Sequence, residues 1–290
     1  KKLFEEHKDE LEKKPELEAI RKYLEQQQKK QQSGSPENEG SPYRTKLMDG
    51  AYFFELEQDM ITVKRGPELL IPGWKFSKGT GYVGHEFFEA SSMRKVNGKY
   101  YFVYSSINSH ELCYAVSDRP DSGFEYGGTL VSISDIFLHN DDPDPAKGWN
   151  YPGNTHGSII EINGQWYVFY HRQTNRHQFS RQACAEPIFI ESDGSIKQAE
   201  ITSCGLNGGP LAGKGEYEAR IACNLRSKEG VAFFTNFNMP DTDIHPYFTQ
   251  DGPDRESDGN QYIANLRDGS LAGFKYFNFQ GASKISVHIR

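Results

Sequence analysis

With 290 residues, 36% hydrophobic and 13% aromatic side chains, the chain can fill one large core or two smaller ones. Its formal net charge of −7 argues against a nucleic-acid partner, which needs a basic face. No apolar run is long enough to span a membrane, no signal peptide is visible, and Cys113, Cys184, Cys204 and Cys223 lack the spacing of a zinc site.

Residues 1–32 are rich in Glu, Lys and Gln, with Leu17, Ile20 and Leu24 at helical spacing. This predicts a solvated helix with a narrow apolar stripe, interrupted near Pro15. Ser33 to Ser41 follows as a flexible connector, so 1–41 forms a helical insertion and linker. Strands are then predicted over 51–56 and 59–63. Four more follow over 88–95, 99–105, 112–117 and 129–132. Between the first two of these stands Asn97-Gly98, a dipeptide suited to a tight turn with φ > 0 at both central positions. The loop over 134–153 carries Asp135, Asp141, Asp142 and Asp144 without the pattern of an EF-hand, and is expected to be solvated.

A further set of strands is predicted over 157–162, 165–172, 179–190 and 196–202. Residues 157–172 superimpose without gaps on 91–106: Ser158 falls on Ser92, Asn163-Gly164 on Asn97-Gly98, and Tyr170 on Tyr104. Two such units in register suggest blades of a β-propeller, whose innermost strands converge on a common axis. Glu89 stands just ahead of one repeated hairpin and His156 ahead of the other. An acid and an imidazole at nearly equivalent places point to a shared pocket, although Glu89 by itself also reads as an ordinary exposed strand glutamate. Beyond residue 211, strands over 219–225, 259–265, 272–279 and 284–289 suggest a β-sandwich. Cys204 and Cys223 either pair or remain buried thiols.

Several stretches resemble glycoside hydrolase family 43. They are Phe-Phe-Glu-Ala-Ser-Ser-Met-Arg-Lys from Phe87, Gly-Asn-Thr-His-Gly-Ser from Gly153, and Phe-Ser-Arg-Gln-Ala-Cys-Ala-Glu-Pro-Ile from Phe179. The resemblance spans about residues 50–210. It implies an all-β chain: part of a five-bladed propeller over 42–211, then a partial sandwich over 212–290 similar to a family 6 carbohydrate-binding module. It also implies an inverting arabinofuranosidase or β-xylosidase of plant polysaccharides, located extracellularly or in the periplasm. The alternative is a non-catalytic, lectin-like propeller.

By the same resemblance, Glu89 is the general acid, Arg181 reaches the sugar next to the scissile bond, and His156 helps hold a hydrated calcium ion at the axis. Arg172 and Arg176 are alternatives to Arg181. Phe88 is a candidate for substrate contact. Trp149 and Tyr151 either line a sugar subsite or pack at the surface, and Phe248 and Tyr262 are candidate stacking residues of the sandwich. The family's general base and its pKa-tuning aspartate are expected before Lys1, since neither Asp49 nor Asp59 stands in an Asp-Pro strand start. The chain therefore reads as a fragment that is inactive or nearly so, with blade faces around Tyr52, Phe54 and Tyr101 left uncovered and prone to association.

Overall fold

The computed structural model describes residues 48–138, 147–233, 243–252 and 260–289. The helix and connector expected over 1–41, and Asp141, Asp142 and Asp144, lie outside them. An antiparallel ribbon of β1 (Gly50–Leu56) and β2 (Val63–Pro72) opens the described chain. β2 begins where the strand expected over 59–63 was to end. Residues 59–62 instead turn about the Asp59 carboxylate, which accepts the Ile61 and Thr62 amides at 2.9 and 2.8 Å and the Thr62 hydroxyl at 2.6 Å. A side chain that satisfies nearby donors in this way competes with a ladder.

The next sheet is an antiparallel meander of β3 (Phe87–Val96), β4 (Lys99–Ser106), β5 (Glu111–Ser117) and β6 (Glu125–Ser132). Asn97 and Gly98 take φ of 49° and 87°, as a turn that matches strand twist requires. β7 (Ser158–Ile162), β8 (Gln165–Thr174) and β9 (His177–Ile188) form a second meander. Its turn repeats the first, with φ of 51° and 83° at Asn163 and Gly164. Ser92 Oγ donates to Ser158 Oγ at 2.8 Å, so the serines that coincide in the repeat meet in space. The innermost strands of two blades thus lie side by side.

β4 explains why these strands do not alternate between polar and apolar. Tyr101 and Val103 join Leu112, Tyr114, Ile159, Val168 and Tyr170 in a core between the two meanders. Phe102 and Tyr104, on the other face, join Ala51, Ile71, Phe87 and Ala115 against the ribbon. A strand covered on both faces is apolar throughout. Tyr101, expected to lack cover, is 1% exposed and donates its hydroxyl to Gly194 O at 2.8 Å. Tyr52 and Phe54 do remain open, at 45% and 49% exposed.

Residues 196–202 do not complete the second blade as a regular strand. Ile196 makes an isolated bridge to Ile190, and Ala199 bridges in parallel to Val131 of the first blade. This path buries Ile196, Ala199 and Ile201 between the blades, a gain in apolar cover that a further edge strand would not give. The remaining elements are short: β10 (Leu211–Ala212), β11 (Asn224–Arg226), β12 (Tyr247–Gln250), β13 (Gln261–Ala264), β14 (Leu271–Gly273) and β15 (Phe277–Asn278). β10 runs parallel to β15, while β11 with β14 and β12 with β13 are antiparallel. Residues 219–221 form a 3-10 turn where a strand was expected. Residues 284–289 form no strand, and Ile285 and Val287 are 71% and 79% exposed, so no buried face holds one.

The C-terminal residues lean on the blades. Asp135, expected in a solvated loop, is buried; its Oδ1 accepts the Ile201 amide at 2.9 Å and its Oδ2 faces the Lys275 ammonium at 3.3 Å. Lys275 also meets Glu200 Oε1 at 2.7 Å. All four cysteines are free thiols.

Candidate active site

Glu89 sits where the innermost ladder is irregular. From Phe87 to Ser92 β3 advances five residues while β4 advances three, from Ser106 to Val103. Bulges therefore flank Glu89 on both sides. Ala90 takes φ of 64°, a left-handed conformation that costs a non-glycine residue roughly 1 kcal/mol or more. Bulges re-aim side chains, and here the re-aimed group is a carboxylate.

His156 arrives on the segment before β7. A Cβ on Gly153 would stand 2.0 Å from Gln173 Oε1, and one on Gly157 only 1.8 Å from Phe169 O. The two glycines of this motif are what lets the segment lie flat on β8. Thr155 between them is buried, its amide donating to Ser109 O at 3.1 Å and its hydroxyl accepting the His171 amide at 3.3 Å. His156 Nε2 then lies 2.7 Å from Glu89 Oε1, close enough for one proton to bridge them. Both side chains stay more than a third exposed, at 36% and 39%, so the pair is open to a reactant.

The His156 ring packs edge-on against His171 with centroids 5.4 Å apart, and His171 Nε2 lies 3.2 Å from Arg181 Nη1. Burial, then the charges of Arg181 and His156, push the His171 pKa down to about 4. The neutral ring accepts from the guanidinium. Glu89 and His156, which the sequence assigned to a shared pocket, therefore form one continuous cluster with Arg181, which it suggested separately, and His171 is the link that was missed. A signal for it existed: His171 coincides in the repeat with Ser105, the ladder partner of Glu89.

The other two arginines are engaged elsewhere. Arg172 is buried, its guanidinium 3.8 Å from the Phe248 ring centroid and donating to Ala222 O at 2.5 Å. Arg176 lies over the Tyr247 ring at 5.1 Å. Phe88 is half-buried beside Glu89 within the bulged stretch. Trp149 is drawn into different contacts, its ring 5.5 Å from the Arg226 guanidinium and its carbonyl accepting the Leu225 amide. Tyr151 and Phe248 are each 1% exposed and pack on one another, so both are core side chains and not open stacking faces. Tyr262 is half-buried opposite Thr249 in the β12–β13 ladder.

Calcium takes six to eight oxygen donors. His156 offers a nitrogen that Glu89 engages, and among the described residues the potential metal ligands that converge are His85, Glu111 and Cys113. There the Glu111 carboxylate already accepts from Ser106 at 2.6 Å, Asn108 at 2.8 Å and Thr129 at 2.9 Å, with His85 Nδ1 at 2.8 Å. Burial alone would raise its pKa, but the bond and charge of His85 outweigh that and hold it at about 2. Neither place presents the oxygen shell of a directly coordinated calcium ion.

Residues 21–196 match the family model described as Glycosyl hydrolases family 43. A xylosidase/arabinosidase of Thermoclostridium stercorarium is 48% identical over 250 residues, covering 86% of this chain and 52% of the relative. A β-xylosidase of Xylanibacter ruminicola is 39% identical over 115 residues, covering 39% of this chain and 31% of that protein. Among solved structures, a family 43 arabinoxylan arabinofuranohydrolase from Bacillus subtilis matches with a TM-score of 0.42 and 20% identity. That match covers 69% of this chain and 39% of the other. The chain spans about half the length of the first of these relatives.

Proposed function

The chain belongs to glycosyl hydrolases family 43, and from that premise we propose that Glu89 is the general acid of an inverting glycosidase acting on arabinose- or xylose-containing polysaccharides. The observation that carries this is the carboxylate flanked by bulges and bonded to His156 at 2.7 Å. A protonated Glu89 gives its proton to the leaving glycosidic oxygen, and the resulting carboxylate stays aligned through His156 Nε2. Arg181 offers N–H donors in a planar fork that matches neighbouring sugar hydroxyls. The names of the relatives, xylosidase/arabinosidase and β-xylosidase, support the pentose class. Such polymers do not enter cells, which favours an extracellular or periplasmic site of action.

Inversion needs a second carboxylate, roughly 6.5–9.5 Å from the first, to activate water. On this reading such a group belongs to the complete catalytic domain, and turnover is measured there. The test is Glu89→Gln in a polypeptide carrying the whole catalytic domain. Turnover of substrates with poor leaving groups should fall about 100- to 10,000-fold, and that of activated aryl glycosides much less. Equal losses on both would remove Glu89 from the role of acid.

Calcium enters the same reading as a water-surrounded ion near the axis, with His156 in its surroundings. Calcium at 100 times its dissociation constant should stabilise the protein by about 2.7 kcal/mol. His156→Ala should abolish that gain in a calcium-dependent melting experiment. A gain that survives the substitution would place the ion elsewhere.

A further inference from the structure

Glu111 and Cys113 stand two residues apart on β5, so their side chains leave the strand on one face. The segment that enters β3 lays His85 over that face, with its Nδ1 2.8 Å from Glu111 Oε1. Together with the Cys113 sulfur, these ligand atoms all fall within 4.8 Å of one another. A nitrogen, an oxygen and a sulfur thus converge although His85 and Glu111 are 26 residues apart in the chain. Ladder register creates this grouping, and no local spacing reveals it.

Calcium has no use for such a set, but zinc and its neighbours do. They bind nitrogen, carboxylate oxygen and thiolate at roughly 2.0–2.3 Å in a tetrahedral shell, whose ligand atoms stand about 3.3–3.7 Å apart. His85 and Glu111 need to part by only about half an ångström to admit a cation in place of the proton they share. The three groups are also held as metal ligands are held. Glu111 is oriented by the Ser106 hydroxyl, the Asn108 amide group and the Thr129 hydroxyl. The His85 amide donates to Tyr82 O at 2.8 Å, and its carbonyl accepts the Tyr104 hydroxyl at 2.7 Å. Its ring stacks on Tyr126, with centroids 5.0 Å apart and planes inclined by 17°. Cys113 is a buried free thiol whose sulfur lies 3.9 Å from the Tyr126 hydroxyl and 4.0 Å from that of Thr129. The His85 side chain is 26% exposed, which gives a cation a way in from solvent.

We propose that His85 Nδ1, Glu111 and Cys113 bind a thiophilic divalent cation of the zinc type, a structural clip between β5 and the segment that enters β3. Binding forms one metal bond each to nitrogen, oxygen and sulfur. The Cys113 thiol proton passes to solvent, and the proton on His85 Nδ1 passes to solvent or to Nε2 of the same ring. Carboxylate and thiolate then balance the two charges of the cation, and water takes the fourth position on the exposed side of His85. The clip is independent of the glycosidase reading, since it needs neither Glu89 nor a sugar.

The test uses the 290-residue chain, washed with chelator and kept reduced with a phosphine. Cobalt(II) serves as the probe, because a cobalt–thiolate bond gives an intense charge-transfer band that histidine or carboxylate ligands alone do not. The unmodified chain should take up one equivalent with that band, and zinc should displace it. Cys113→Ser, whose hydroxyl keeps the Tyr126 and Thr129 hydroxyls as neighbours, should lose the band. His85→Gln, which can still bond Glu111, should weaken binding about ten-fold or more. Zinc should raise the melting temperature of the unmodified chain and of neither variant. Matching melting curves of the three metal-free proteins exclude a folding defect. Absence of the band in the unmodified chain overturns the site. A band that persists in Cys113→Ser overturns it as well, by assigning the metal to another thiol.

Discussion

Glu186 shows how much one carboxyl can weigh when it is cut off from water. It is 1% exposed, and its oxygens accept the Thr202 amide at 2.7 Å, the Thr202 hydroxyl at 2.6 Å and the Tyr170 hydroxyl at 3.2 Å. Burial raises its pKa from 4.5 to about 7 despite those bonds. The folded state therefore favours the neutral acid. Its contribution is complete below pH 4.5 and is lost as the pH rises through about 7, a change on the order of 3 kcal/mol. Glu186→Gln keeps the shape without the titration. Urea unfolding at a series of pH values should show the decline between about pH 4.5 and 7 flattened in this variant. A slope equal to that of the unmodified chain would mean that another group titrates. Glu111 acts with the opposite sign. Its pKa is lowered to about 2, so its contribution holds above 4.5 and fades as the pH falls towards 2.

The hairpins are the elements most legible in the sequence, because each Asn-Gly pair fixes its turn locally and the repeat fixes the register. The same logic put Glu89 and His156 just ahead of the two repeated hairpins, and their side chains meet at 2.7 Å. What stayed hidden depends on contacts between distant segments. Phe248 looked like a stacking face, and Tyr151 stayed open between a sugar subsite and surface packing, because nothing local reveals that they cover one another. Residues 196–202 looked like a blade edge because nothing local shows the core between the blades drawing them across. The need for glycine at position 157 is of this kind too, set by Phe169 of the neighbouring strand. Gly157→Ala must push β7 away from β8, at a cost of about 1–3 kcal/mol. Denaturation should report that loss, and sugar binding should weaken with it as His156 moves off Glu89. Unaltered stability would mean that the segment has room that its packing does not suggest.

At the scale of the whole molecule, Lys275 is one of several contacts that secure the C-terminal residues to the blades. Lys275 stands between Asp135, whose side chain is fully buried, and Glu200, which also accepts the Tyr276 hydroxyl at 2.6 Å. Burial raises the Asp135 pKa even with Lys275 beside it. Removing the ammonium leaves that carboxyl without its counter-charge, though the Ile201 amide still donates to it, so Lys275→Met should cost about 2–3 kcal/mol, below the usual range for a buried pair because Lys275 keeps some contact with solvent. The double variant Lys275→Met with Asp135→Asn should recover part of the loss, as coupled partners do. Strict additivity in chemical denaturation would show that the two groups act independently.

The paired irregularities around Glu89 also bear on how such a site can be lost by descent. Deleting the single codon for Ala90 would leave two steps on β3, from Glu89 to Ser92, against two on β4, from Ser105 to Val103. The ladder would become more regular, and the one left-handed alanine would vanish with it. Every other cross-strand partner could stay in place, and the glutamate would still be present in the gene. Only its aim would be gone, because the bulge that turned it out had been absorbed. On the reading of Glu89 as the acid, a chain altered in this way would keep the ladder of its first meander and lose only the aim of that carboxylate, through the loss of three nucleotides.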